Sequence, residues 1–242
     1  DTVGPLAGTV EDCVLTDMVL RGTTISPVRR TDPARLQIFV PESVVLDDLE
    51  EAVAASFEAT LDRLVTAGAQ IRRGPLPEFE EAARLAQEIG TITAAEAYFE
   101  HRALVNGELC DHIDRRVVAR IEGGKRMSAL GLVTLHRARE AAMASLARRL
   151  EGALVAMPTT PLTAPVIADL EADDELFHKV NLKTLRNTAI GNFLNLPGVA
   201  IPNGTDAAGL PTSLLLSACG GEDDRLLGAA LGAEAAIRGS AE

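Results

Sequence analysis

Between residues 36 and 72 the sequence changes its hydrophobic period twice, and that change restricts the fold more than any other feature of the chain. Leu36-Gln37-Ile38-Phe39-Val40 reads as a strand that Pro41 ends. From about Asp47 to Ala67 the residues Leu49, Val53, Phe57, Leu61 and Leu64 recur at spacings of three and four, the period of one helix face, and Gly68 stops the run. Ala69 to Arg72 then reads as a second short strand. A helix between two strands allows them to lie parallel, so the order predicts an α/β layer.

The flanking sequence adds further elements. Thr9 is placed to cap a helix from Val10 to Arg21, with Asp12 as a short stand-in for a capping-box glutamate. Val10, Cys13, Val14, Met18 and Leu20 fall on roughly one face of that helix, and Gly22 suits its C-terminal cap. Thr23 to Pro33 reads as loop. The middle, about 76–150, is helical: Phe79 to Glu88 and Ala94 to Val105 (two helices, or one broken near Gly90-Thr91), Arg115 to Ile121 ended by Gly123-Gly124, and Ser128 to Leu150. Ala153 to Met157 returns to strand and Pro158 halts it. An acidic stretch, Asp169 to Glu175, precedes a helix from about Phe177 to Leu194. Two strands, Gly198 to Ile201 and Thr212 to Ser217, are expected to join at an Asn203-Gly204 turn, before a last helix from Asp223 to Ile237. Nothing marks a firm domain boundary, and 242 residues hold one large domain or two small ones. With 47% hydrophobic residues but only 3% aromatics and no Trp, the core must be built from Ala, Leu and Val through close helix contacts.

A formal charge of -12 argues against a general nucleic-acid surface, because phosphate binding rests on Lys and Arg. No apolar run approaches the roughly 20 residues that span a bilayer. Cys13, Cys110 and Cys219 lie far apart and outside any CxxC pattern, which reads as reduced thiols in a cytoplasmic protein. His101 and His112 with Asp111 and Asp114 match no common metal-ligand spacing and read as surface polar residues. Gly123-Gly124-Lys125-Arg126 lacks the earlier Gly and the Ser/Thr of a phosphate loop and reads as a helix-ending pair. Asp173-Asp174-Glu175 reads as a solvated loop, and Arg115-Arg116 as exposed helix surface.

Three blocks carry a resemblance. The chain opens on Asp1-Thr2-Val3-Gly4-Pro5-Leu6-Ala7; its centre holds Met157-Pro158-Thr159-Thr160-Pro161; and Asn187-Thr188-Ala189 leads through Asn192 to Leu196-Pro197-Gly198-Val199-Ala200-Ile201-Pro202-Asn203-Gly204 and Gly209-Leu210-Pro211. In this order they resemble the amidase signature family, hydrolases that cleave carboxamides with a Ser–Ser–Lys triad. The resemblance implies an α/β/α sandwich around a mixed central sheet, without metal or organic cofactor. It identifies residues 1–242 as the C-terminal portion of one amidase domain, because the triad of that family precedes the Asp-Thr-Val-Gly-Pro segment. No catalytic residue is therefore assigned here. Ser26, Ser43, Ser56, Ser128, Ser145, Ser213, Ser217 and Ser240 all lack the Gly/Ser-rich surroundings of the family's serines.

Substrate contact is expected instead from Thr159, Thr160 and Pro161, in a turn that lines the pocket in such enzymes, and from Thr188 and Asn192, four apart on one helix face. The plainer reading of the turn is a rigid corner whose hydroxyls bond backbone; that of Asn192 is a bond to the corner after it. Asn195 departs from the family, which usually has Gly there. The expected partners are a small amide substrate and the missing N-terminal amidase segment; a homodimer is compatible. Two rivals stand beside a free-standing amidase. One is the A subunit of a tRNA-dependent amidotransferase, in which an acidic residue is expected where Leu185 stands. The other is a non-catalytic binding or scaffold protein.

Overall fold

The computed structural model describes residues 3–24 and 28–239; Asp1 and Thr2 of the opening segment, Ser26 in the first loop, and Ser240 lie outside the described residues. In chain order the elements are α1 (Val10–Leu20), β1 (Gln37–Pro41), α2 (Glu51–Thr66), β2 (Gln70–Gly74), α3 (Pro77–Glu88), α4 (Ile92–Val105), α5 (Arg115–Gly123), α6 (Ala129–Leu150), β3 (Leu154–Pro158), α7 (Ile167–Ala172), α8 (Asp174–Phe193), β4 (Gly198–Thr205), β5 (Pro211–Ser217) and α9 (Asp223–Arg238). The described chain separates into two compact units, one of Pro77–Ser145 and one of the residues up to Leu76 together with those from Leu146 onward.

The larger unit is an α/β layer on a mixed five-stranded sheet of order β2-β1-β3-β5-β4. β1 runs parallel to β2, as the strand–helix–strand order anticipates, and also to β3, whereas β5 is antiparallel to β3 and to β4. β3 is buried along its whole length. Alternate residues Ile38, Val40, Leu154, Ala156, Leu214 and Leu216 share a core with Val10, Val14 and Met18 of α1, Phe57, Leu61 and Leu64 of α2, and the apolar stripe of α9. Each such Leu or Phe contributes about 1.5–3 kcal/mol by leaving water. Phe39, Val155, Met157 and Leu215, which alternate with these, are buried as well.

Local chemistry sets the helix ends. Thr9 Oγ1 accepts from the Asp12 amide at 3.1 Å and donates to its carboxylate at 2.8 Å, a side-chain version of the capping box. Glu234 of α9 accepts from the Val10 amide, placing a carboxylate at the positive end of α1. At the other end Gly22 takes φ 64°, and the Thr23 amide reaches back to the Met18 carbonyl at 3.1 Å. Leu20, expected on the apolar face, is 57% exposed, since the face that packs passes through Val10, Val14 and Met18. α8 ends the same way as α1. Asn195 has φ 55°, the Leu196 amide bonds the Gly191 carbonyl at 2.9 Å, and the Asn195 amide bonds that of Asn192 at 3.2 Å. Asn is the residue after Gly that enters this conformation most readily, which accounts for the departure at this corner.

Two expectations need correction. Asn203-Gly204 is not the turn between the last strands. It lies inside β4 at a register shift between Pro202 and Gly204. There Asn203 Oδ1 accepts from Thr212 Oγ1 at 2.7 Å, and a Cβ on Gly204 would sit 2.8 Å from Ser56 Oγ. The reversal comes at Asp206, whose carboxylate accepts from the Ala208 and Leu210 amides at 2.8 Å, with Gly209 at φ 83°. Nor is Asp173-Asp174-Glu175 a solvated loop. Asp173 caps α8, accepting from the amides of Glu175 at 2.9 Å and Leu176 at 3.0 Å, and the next two acids complement the first turn. The preceding residues form α7.

The smaller unit is helical. Gly90, with φ 105°, separates α3 from α4, and Thr91 caps α4 through a 3.1 Å bond from the Ala94 amide. Asp114 caps α5 and pairs with Arg116 at 2.6 Å, so this arginine is engaged locally. α5 does end at Gly123, yet Gly123 and Gly124 both keep helical φ, near -52° and -67°. Gly124 is required for proximity: a Cβ there would lie 1.9 Å from the Ala94 carbonyl oxygen and 2.9 Å from Tyr98 Cβ. No helix among the described residues is long and apolar enough to cross a membrane.

Candidate active-site wall

The carboxyl ends of β1 and β3 lie side by side, because the two strands are parallel neighbours. Their outgoing loops therefore emerge together, the position where open α/β sheets collect ligands. The loop from β3 is the Thr159-Thr160-Pro161 turn. Thr159 is half-buried; its amide donates to the Ser213 carbonyl at 3.0 Å, and Ser213 Oγ donates to Thr159 Oγ1 at 2.8 Å. Thr160 Oγ1 donates to the Leu162 carbonyl at 2.8 Å. Pro161 is buried, and its carbonyl accepts from the Glu50 amide at 2.9 Å. Glu50 also reaches past the turn, where its carboxylate accepts from the Thr163 amide at 2.8 Å and from Thr163 Oγ1 at 3.0 Å. Both threonine hydroxyls thus bond to neighbouring groups, and the turn is fixed from two sides.

α8 reaches this place through residues the sequence reading did not single out as site residues. Asn187 is fully buried and bridges the end of β3 to the loop after β1, donating to the Pro158 carbonyl at 2.8 Å and to the Val45 carbonyl at 3.1 Å. Arg186 lies beside it. Its Nε donates to Asn187 Oδ1 at 3.1 Å, Nη1 to the Asp47 carbonyl at 2.7 Å and Nη2 to the Val45 carbonyl at 3.2 Å. Burial lowers the pKa of the Arg186 guanidinium, against the opposing pull of Asp47 and Asp48. Lys183, one turn earlier, pairs with Asp48 at 2.7 Å and holds that carboxyl below its usual range.

The expected pair Thr188 and Asn192 lies four apart on α8. The Thr188 hydroxyl donates to Leu185 inside its own helix at 3.1 Å, and Asn192 is exposed at the last turn of α8. A signal for Asn187 was present: with Ile190, Gly191 and Leu194 it forms the buried stripe of α8, where a polar residue needs partners.

A five-stranded mixed sheet with a helix-buttressed turn at the end of β3 defines an α/β protein. The amidase family model matches residues 1–227, and the chain belongs to the amidase family. It is 32% identical to the 2-amino-5-chloromuconic acid deaminase of Comamonas testosteroni, over 98% of this chain and 51% of that protein. It is 27% identical to the A subunit of the glutamyl-tRNA(Gln) amidotransferase of Roseiflexus sp. (strain RS-1), over 94% of this chain and 52% of that one. A crystal structure of an amidase superposes with a TM-score of 0.78 at 22% identity, covering 97% of this chain and 52% of the other. The chain spans about half the length of these relatives.

Proposed function

We propose that the intact protein hydrolyses the C–N bond of a small carboxamide to a carboxylate plus ammonia or an amine. On this reading a Ser–Ser–Lys triad is contributed by residues outside this chain. The lysine draws a proton through the bridging serine, the second serine attacks the amide carbonyl, and water later releases the acyl group. Residues 1–242 then supply part of one amidase domain, with Thr159, Thr160 and Pro161 as a wall of the pocket and Thr188 and Asn192 toward its rim. The observation that carries the proposal is the family match over residues 1–227, joined to a rigid turn at the carboxyl ends of parallel strands. The three half-buried free thiols favour a cytoplasmic protein.

The likeness to the A chain of an amidotransferase supports a second reading, in which the acid amide is cleaved for a partner. Leu185, where an acidic residue is expected in such proteins, favours the free-standing enzyme. Ammonia release from a panel of free amides, measured on the intact protein with no partner proteins present, separates the two. Turnover is expected for the intact protein and none for the 242-residue chain by itself. An intact protein that releases ammonia only beside partner proteins would replace the first reading with the second. Turnover by the isolated chain would refute the assignment of the triad elsewhere.

A further inference from the structure

We propose that Arg186 and Asn187 are positioning residues that set the Thr159-Pro161 turn by holding a strained loop between β1 and α2. This rests on the reading of that turn as a pocket wall. The loop contains two non-glycine residues in the left-handed region, Val44 at φ 59° and Asp48 at φ 49°. A β-branched residue such as Val44 is an outlier there and persists only where its surroundings over-determine it. Part of the restraint is local: the Val44 amide donates to the Asp47 carboxylate at 3.1 Å, and the Asp47 amide to the Val44 carbonyl at 3.2 Å. The rest comes from α8, where Arg186 places two guanidinium nitrogens on the Val45 and Asp47 carbonyls and Asn187 adds a second bond to Val45.

From there the restraint passes to the turn by two routes. One is direct, because the same Asn187 amide nitrogen also holds the Pro158 carbonyl, the residue before Thr159. The other runs along the loop to Glu50, which bonds the Pro161 carbonyl through its amide and Thr163 through its carboxylate. Arg186 bonds three acceptors that a planar fork can reach together, two of them backbone carbonyls and the third the Asn187 side chain. A lysine would supply the charge but not that geometry. The pair touches the wall's supports rather than the wall's open side, so its effect falls on how well the pocket holds substrate.

The test compares Arg186→Met, Arg186→Lys and Asn187→Asp in the intact enzyme, using hydrogen exchange and steady-state kinetics on its best amide. Asn187→Asp keeps the shape and the acceptor for Arg186 but loses both donated bonds. Amides in the segments 43–50 and 159–165 are expected to exchange about tenfold faster in Arg186→Met and Asn187→Asp, while those of α9 keep their protection. KM is expected to rise about tenfold with kcat changed less than about threefold, and Arg186→Lys to fall between. Wild-type exchange in both segments would overturn the proposal. So would faster exchange with an unchanged KM, which is a structural role only, or a loss confined to kcat. If Arg186→Met does not fold, Arg186→Lys carries the same comparison. A wild-type protein that turns over no amide defeats the amidase reading and this inference with it; an active one whose variants keep their KM defeats this inference alone.

Discussion

Placing a methyl group on Gly124 sets two effects of known size against each other. Glycine in a helical conformation is less favourable than alanine by about 1 kcal/mol, so Gly124→Ala gains that much from the backbone alone. The added Cβ, however, would lie 1.9 Å from the Ala94 carbonyl oxygen, 2.6 Å from its carbon and 2.9 Å from Tyr98 Cβ. No flexible side-chain end can swing away, because the first two atoms are backbone of α4; the helix itself must retreat. Overpacking of this kind costs about 1–3 kcal/mol and more where backbone has to move, so a net loss of about 2 kcal/mol is expected. The neighbouring glycine supplies the control. Gly123 has a helical φ of -52° and nothing within 4 Å of its would-be Cβ, so Gly123→Ala should be neutral or stabilising. Amide exchange over α4 and α5 in the intact protein reads both. A loss of about 2 kcal/mol by local opening appears as roughly 30-fold faster exchange in Gly124→Ala, with wild-type or slower exchange in Gly123→Ala. Equal behaviour of the two variants would refute the claim that proximity to α4, rather than helix termination, is what Gly124 provides.

Two further outcomes follow from the charges and thiols. Asp114, held down chiefly by its hydrogen bond to Arg116, and Asp48, held down by Lys183, should titrate below the ordinary aspartate value of about 3.9. Their folded-state pKa values are depressed, so the unfolded chain binds more protons just below that value. Their contribution to stability is complete above about pH 4 and is lost as pH falls through the folded values. A carboxyl NMR titration placing Asp114 at or above about 3.9 would contradict this, and Arg116→Gln should return it toward that value. Burial, with a smaller push from Glu222, raises the Cys219 thiol above its ordinary value. It should therefore be alkylated by iodoacetamide at about pH 8 several-fold more slowly than free cysteine; a rate equal to the free amino acid would show that the site is open and the thiolate accessible.

What the sequence determined by itself are the features whose cause lies within a few residues. The period of Leu49 to Leu64 made α2, Thr9 and Thr91 capped their helices, Gly22 ended α1, and the helix between β1 and β2 let them pair in parallel. The three sequence blocks, read in order, also pointed to the amidase family. The tertiary structure decided the positions whose partners are remote. Asn203-Gly204 had every local mark of a turn, but Thr212 and Ser56 draw it into a bulged strand, and Asp206 makes the turn instead. Gly123-Gly124 does end α5, but the contact that keeps Gly124 small, with Ala94 far back along the chain, was invisible from the sequence. Asn187 shows the same limit at the candidate site. Its partners Pro158 and Val45 are 29 and 142 residues away, whereas Thr188 and Asn192 stand out in the sequence through the block they belong to and their four-residue spacing. Spacing tells which side chains share a face. Only the packing of that face against the sheet tells which of them is enclosed, and enclosure is what obliges an amide to find its carbonyls.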